Sequence, residues 1–313
     1  SPYQSVAYNA LNYYFIDYEL LKIEGLLEED EYETTYPTDE SRVDYGALFD
    51  TKRTILKKAF SRFDTDNESF QAFLKDGKYH DFSVFMALKE LHGFAPFSSW
   101  GEDGVYEKER IERFEKSHTD EVLFWQFVQF EFLKQWKNLK AYANKKGVLL
   151  MGDMPIYLSK DSVEMWKYGK DLFLLDENGK MKMQAGVPPD AFSSDGQLWG
   201  NPVYDWEKQR QSDYGFFKRR FEDAFTLYDI VRIDHFRGFD RFYAIPEGDL
   251  TARNGRWLDG PKEELFKGYE DKEIVAEDLG LIDDGVRRLM QNTGYPGMKV
   301  MSFGFDGNEW NEH

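Results

Sequence analysis

Between residues 43 and 146 apolar positions recur every three or four residues, the period of helices with one buried face. Leu48, Ile55, Leu56, Ala59, Phe60 and Phe63 form one such series, and Phe82, Phe85, Met86 and Leu91 form another that stops before Gly93. A third runs from an N-cap expected at Asp120 through Phe124, Phe127, Val128, Phe132, Trp136 and Leu139 to Gly147. Residues 101–117 are mostly charged and fit a solvated helix or loop. Beyond residue 146 the pattern changes to short apolar runs that end in charge. Residues 148–151 (VLLM) form a buried run that leads into Gly152 and Asp153, residues 230–233 (IVRI) into Asp234, and residues 274–276 (IVA) into Glu277 and Asp278, while 298–306 (MKVMSFGFD) make a fourth run. Helical segments are expected at 214–227, 261–269 and 283–291. Strands alternating with helices predict an α/β fold around a parallel sheet, with a TIM-type barrel as the expected closure.

The run through residues 228–239 (YDIVRIDHFRGF) organises the rest. Ile230, Val231 and Ile233 read as a strand buried on both faces, yet it meets Arg232, Asp234, His235 and Arg237 at its C-terminal end, where parallel α/β folds carry their sites. Arg232 and Asp234 fall on one side of the strand, because side chains alternate with period two. A guanidinium beside Asp234 is expected to hold its carboxyl at a low pKa and ionised, as a carboxylate nucleophile requires. Asp153 is a second carboxylate at a strand end, with turn capping as its plain alternative. Of the neighbours Glu277 and Asp278, only one can share the pocket of Asp234.

Two stretches carry rings and amides suited to sugars. The opening residues include Tyr3, Gln4, Tyr8, Asn9, Asn12, Tyr13 and Tyr14. Residues 171–206 hold a turn at DENG (176–179) between two short strands, then GVPPDAFSSDGQLWGNPVYDW, rich in Gly, Pro and Ser around Trp199. Trp199 between small residues reads as a stacking platform or as the anchor of its loop. Asp190 and Asp195 read as hydroxyl ligands or turn caps.

Composition narrows the partners. The net charge of −18, from 40 Lys and Arg against 58 Asp and Glu, repels nucleic-acid phosphate and anionic lipid. Neutral substrates fit better. Without cysteine there are no disulfides or thiolate metal sites, which suits a reducing, cytoplasmic compartment, although a lost targeting leader before Ser1 stays open. No run is apolar enough to span a membrane.

Two carboxylates from neighbouring strands, one paired with Arg232, are the set that retaining glycoside cleavage uses, with a nucleophile and an acid about 5 to 5.5 Å apart. Acids at barrel strand ends also bind magnesium, but Arg232 and His235 flanking the central acid argue against a metal there.

Taken together, SPYQS, GDMPIY, GVPPDAFSSDGQLWGNPVYDW, IVRIDHFRGF and AEDLG resemble the amylomaltases, the 4-α-glucanotransferases of glycoside hydrolase family seventy-seven, from end to end of the chain. The resemblance implies transfer of α-1,4-glucan segments to the 4-hydroxyl of an acceptor, with Asp234 as nucleophile, Glu277 as general acid/base and Arg232 beside Asp234. It implies that His235, Asp153 and Trp199 contact the sugars, with Tyr3 and Asp190 further out, and it implies neither metal nor cofactor. It also implies a division into 1–42 (substrate loop), 43–146 (helical insertion), 147–170 (barrel strand and helix), 171–206 (loop-rich insertion) and 207–313 (catalytic barrel portion). The family's third acid, in a His-Asp pair after the seventh strand, has no counterpart here, and nothing gives Asp306 that role. The expectation is therefore a partial barrel of about strands three to six, which needs the missing segments to cover its open edges. A hydrolytic amylase relative and a glucan-binding fragment without turnover are the rival readings.

Overall fold

The computed structural model describes residues 4–32, 41–190, 193–280 and 282–305. The chain divides into two compact units, Asn9–Tyr142 and Ser1–Tyr8 with Ala143–His313.

The first unit is helical. α1 (Tyr18–Ile23), α2 (Tyr45–Arg62), α3 (Glu68–Asp76), α4 (His80–Leu91), α5 (Lys108–Ser117) and α6 (Thr119–Lys145, continuing into the second unit) follow the apolar series. α6 starts one residue before Asp120, which sits in its first turn, where a carboxylate favours the positive end of the helix dipole. Its core is aromatic: Phe63 packs on Phe127 at 4.8 Å between ring centres and Phe70 on Phe130 at 5.4 Å.

The second unit is α/β. Its first sheet is parallel, in the order β1 (Met151–Met154), β4 (Ile230–Ile233), β7 (Ile274–Ala276). α7 (Val163–Leu172), α8 (Trp206–Gln211), α9 (Gly215–Leu227) and α10 (Asp284–Thr293) lie between or after these strands. Val231, Ile233, Ile274 and Ala276 are buried on one face of the sheet. On the other face Ile230, Arg232 and Val275 are half-buried and Met151 is 52% exposed, so β4 is not buried on both sides as its sequence suggests. Val148 and Leu149 are also exposed, and β1 begins three residues later than the apolar run. Gly152 lies against Tyr228, whose ring a Cβ would strike.

The second sheet is antiparallel, in the order β3 (Gln197–Pro202), β2 (Met183–Val187), β5 (Arg241–Pro246), β6 (Arg256–Asp259). The loop-rich stretch therefore contributes two strands, and the DENG turn is flanked by a Leu175–Met181 bridge. Two expectations fail here. Residues 261–269 hold a 3-10 turn, Lys262–Phe266, in place of a helix. The fourth apolar run forms no strand over its described residues; Pro296 O accepts from Ala276 N at 2.8 Å, and a 3-10 turn follows at Met301–Gly304. One bond at the sheet edge does not hold a segment in a ladder. No helix among the described residues is long and apolar enough to cross a membrane.

Candidate active site

The registers bring the acids together. Asp153 pairs with Arg232 across β1 and β4, and Arg232 with Val275 across β4 and β7. Partners in a parallel ladder share a face, and so do residues two apart, so Asp153, Arg232, Asp234 and Glu277 project to the same side. Asp234 and Glu277 each stand one residue past their strand ends. Asp234 N donates to Met154 O at 3.1 Å and Glu277 N to Ile233 O at 3.0 Å, which keeps both residues in ladder geometry.

Arg232 is shared between two acids. One of its terminal nitrogens reaches Asp153 Oδ1 at 2.5 Å and Asp234 Oδ1 at 3.3 Å. This reverses an expectation. The Asp234 carboxyl is pushed up to about 6, by burial first and the neighbouring Asp153 charge second, with Glu277 adding to it and Arg232 opposing. A guanidinium committed more closely to Asp153 offsets only part of that penalty.

Glu277 is held by the backbone: Oε2 accepts from His235 N at 2.9 Å and Oε1 from Leu279 N at 2.7 Å. His235 makes the first bond from a left-handed conformation, φ +51°, which a residue with a Cβ adopts at a cost. Its ring stands edge-on to Trp199 at 4.9 Å, and its Nε2 is buried without a hydrogen-bond partner. Burial first, and then the Arg237 charge, lower its pKa to about 4, so the ring is neutral at neutral pH.

Trp199 lies on β3, half-buried, 6.2 Å from the Tyr157 ring and bonded through its indole nitrogen to Gln197 at 3.1 Å. Asp190 accepts from Ser193 N at 2.7 Å, the turn-capping geometry. Tyr3 and Asp306 lie outside the described residues. Of the expected set the structure gathers Asp153, Arg232, Asp234, Glu277, His235 and Trp199. Asp278 turns away, its Oδ1 accepting from Met298 N at 2.8 Å, and Met298 Sδ accepts from Arg232 Nε at 3.1 Å. Met298 had no signal in the sequence beyond its place at the start of the fourth apolar run. Among the described residues no group of three or more metal-ligating side chains is arranged to hold a metal ion.

Fold and site define an α/β protein with a carboxylate–guanidinium cluster at the C-terminal edge of a parallel sheet. The family model described as 4-alpha-glucanotransferase, glycoside hydrolase family seventy-seven, matches residues 1–313. The 4-alpha-glucanotransferase of Clostridium butyricum is 42% identical across 100% of this chain and 66% of its own length. That of Thermus thermophilus is 41% identical over 98% of the chain and 63% of its own. The amylomaltase of Streptococcus agalactiae, solved in complex with acarbose, superposes with a TM-score of 0.93 at 40% identity, over 99% of this chain and 65% of that one. The amylomaltase of Corynebacterium glutamicum, 17% identical with a TM-score of 0.75 over 95% of this chain and 42% of that one, shares the fold. The chain belongs to the 4-alpha-glucanotransferase family. It spans about two thirds of the length of these first curated relatives.

Proposed function

We propose that this chain carries the reacting carboxylates of a 4-α-glucanotransferase that acts by retaining double displacement on α-1,4-glucans. The observation that carries the reading is one Arg232 nitrogen bridging Asp153 and Asp234, with Glu277 on the same sheet face. Asp234 attacks the anomeric carbon while Glu277 gives its proton to the glycosidic oxygen, so that bond breaks and a glucosyl ester forms. The 4-hydroxyl of an acceptor glucan then passes its proton to Glu277 and attacks the anomeric carbon, breaking its bond to the Asp234 oxygen, which restores both carboxyl groups and the original anomeric configuration. As the acid Glu277 donates through the O–H of one carboxyl oxygen, while lone pairs on both oxygens still accept from the two backbone amides.

Asp153, His235 and Trp199 are read as contacts of the sugars on either side of the cleavage point, Arg232 as the substrate-binding partner of Asp234, and Tyr3 and Asp190 as contacts further out. The related amylomaltase solved in complex with acarbose supports this substrate class. The parallel sheet is read as part of a (β/α)8 barrel whose half-exposed face is the barrel interior, in a cytoplasmic enzyme. The domain boundaries expected above stand as part of the same reading.

That half-exposed face also favours a second reading, a portion that binds glucan without turning it over until the remaining strands cover it. The discriminating measurement is intact mass after incubation with a maltosyl fluoride blocked at its terminal 4-hydroxyl. A stoichiometric maltosyl adduct that maps to Asp234 supports turnover by this portion. No adduct here, with labelling of the full-length protein, supports the second reading. Absence of an adduct in both overturns the role of Asp234.

A further inference from the structure

Arg232 is held from the edge opposite its acids. Its Nε donates to Met298 Sδ at 3.1 Å while a terminal nitrogen reaches Asp153 and Asp234. Met298 is in turn fixed by its backbone: its amide donates to Asp278 Oδ1 at 2.8 Å, and a Cβ on the preceding Gly297 would run into that same carboxylate. Pro296 O accepts a hydrogen bond from the amide of Ala276, the last residue of β7, and so ties this segment to the strand that leads into Glu277. The position of the sulfur is thus set by the sheet that carries the acid/base.

Resting on the glucanotransferase reading, we propose that Met298 is a positioning residue, whose thioether occupies the Nε–H of Arg232 and aims the far edge of the guanidinium at Asp153 and Asp234. The chemistry of sulfur suits the task. A guanidinium presents its N–H groups in a planar fork, so fixing one edge fixes the direction of the others. A carboxylate at residue 298 would compete for the charge of Arg232, and water there would let the plane turn. A thioether is a weak, uncharged acceptor that satisfies Nε and leaves the charge directed at the acids. The charged groups that face Asp234 are then Asp153 from β1, Arg232 from β4 and Glu277 from the end of β7.

The test compares Met298→Leu and Met298→Gln in the full-length protein. Leu keeps the volume and removes the acceptor; Gln keeps the length and supplies an oxygen. Both are followed by the rate of Asp234 labelling with the blocked maltosyl fluoride, its pH profile, and KM for maltotriose. The expected result for Met298→Leu is labelling slowed about tenfold with KM changed less than about twofold, and an acid limb moved upward as Arg232 turns from Asp234. Met298→Gln restores labelling to within about threefold. Unchanged labelling and an unchanged limb in Met298→Leu overturn the inference and leave the glucanotransferase reading intact. Equal slowing in both variants with no shift of the limb overturns it too, because that is the signature of lost packing. Failure of the parent protein to label overturns the underlying reading, and this inference with it.

Discussion

Removing the charge of Asp153 tests the electrostatics of the site most directly. A nitrogen of Arg232 lies 2.5 Å from one oxygen of Asp153 and 3.3 Å from one of Asp234, so those oxygens stand within about 6 Å of each other. Two unit charges at about 6 Å interact by about 3 kcal/mol at an effective dielectric of about 20. The Asp153 side chain is 39% exposed, and screening by water brings this to about half, or about one pKa unit. Asp153→Asn also frees Arg232 to pair fully with Asp234, which acts in the same direction. The acid limb of kcat/KM, which reports Asp234 in the free enzyme, is expected to fall from about 6 to about 5.

The assay is the initial rate of glucose release from maltotriose, at concentrations below KM, across about pH 4.5 to 8. Absolute rates fall at every pH, because Asp153 is also read as a sugar ligand. The shape of the curve, normalised to its plateau, carries the test. A limb that stays at about 6 or moves upward would refute the claim that Asp153 holds the nucleophile's pKa up and draws Arg232 away from it.

Three further outcomes follow from the same geometry. Asp234→Asn is expected to lower turnover by at least about a thousandfold. Because burial makes the Asp234 charge costly above about pH 6, the variant's melting temperature at pH 7 should be no lower than that of the parent; a tenth of the activity remaining would end its role as nucleophile. Trp199→Ala is expected to lower transfer to maltose acceptors about tenfold while hydrolysis falls less, measured as the ratio of transfer product to free reducing sugar, and an unchanged ratio counts against Trp199 as an acceptor platform. Glu164, buried on α7, accepts from Tyr8 N at 3.1 Å and is pushed up to about 7 by burial. Its ionised form therefore costs stability above pH 7, and the cost vanishes as pH falls below its unfolded value. Glu164→Gln keeps the acceptor for Tyr8 and should raise the melting temperature by a few degrees at about pH 8 and leave it unchanged at about pH 4; a lower value at pH 8 would show that Glu164 is ionised and paired.

What the sequence revealed of this site was whatever depends on period two. Arg232 and Asp234 could be assigned to one face because alternation along a strand is a local rule, while the choice between Glu277 and Asp278 needed the register of β7 on β4; β4 and β7 lie within a residue of where their apolar runs place them. Asp153 was legible as a strand-end acid, but its commitment to Arg232 follows from the register between β1 and β4, which no local pattern states. The direction of the Asp234 shift was misread for the same reason: a neighbouring Arg seen in sequence has no stated partner, and this one is shared. β5 and β6 went unread because Arg241–Pro246 and Arg256–Asp259 are short and flanked by charge; β5 becomes a strand by pairing with β2, far away in the chain, and β6 by pairing with β5. Val148 and Leu149 illustrate the converse, an apolar run that the structure leaves exposed.

The raised pKa of Asp234 looks at first like a defect in a nucleophile, and the charge balance of the proposed reaction shows why it is not. At the start Asp234 carries the charge and Glu277 the proton; in the covalent intermediate Asp234 is a neutral ester and Glu277 is the anion. The pair thus keeps a single negative charge throughout, and the field of Arg232 and Asp153 acts on that charge as it moves from one strand end to the next. Burial and Asp153 make the charge costly on Asp234, and forming the ester relieves that cost. The two backbone amides that bond Glu277 stand ready to receive the charge when it arrives there. An Arg232 paired wholly with Asp234 would stabilise the starting carboxylate and raise the barrier to its attack. Sharing it with Asp153 limits that stabilisation, and the expected consequence is a loss of activity as the pH falls through about 6.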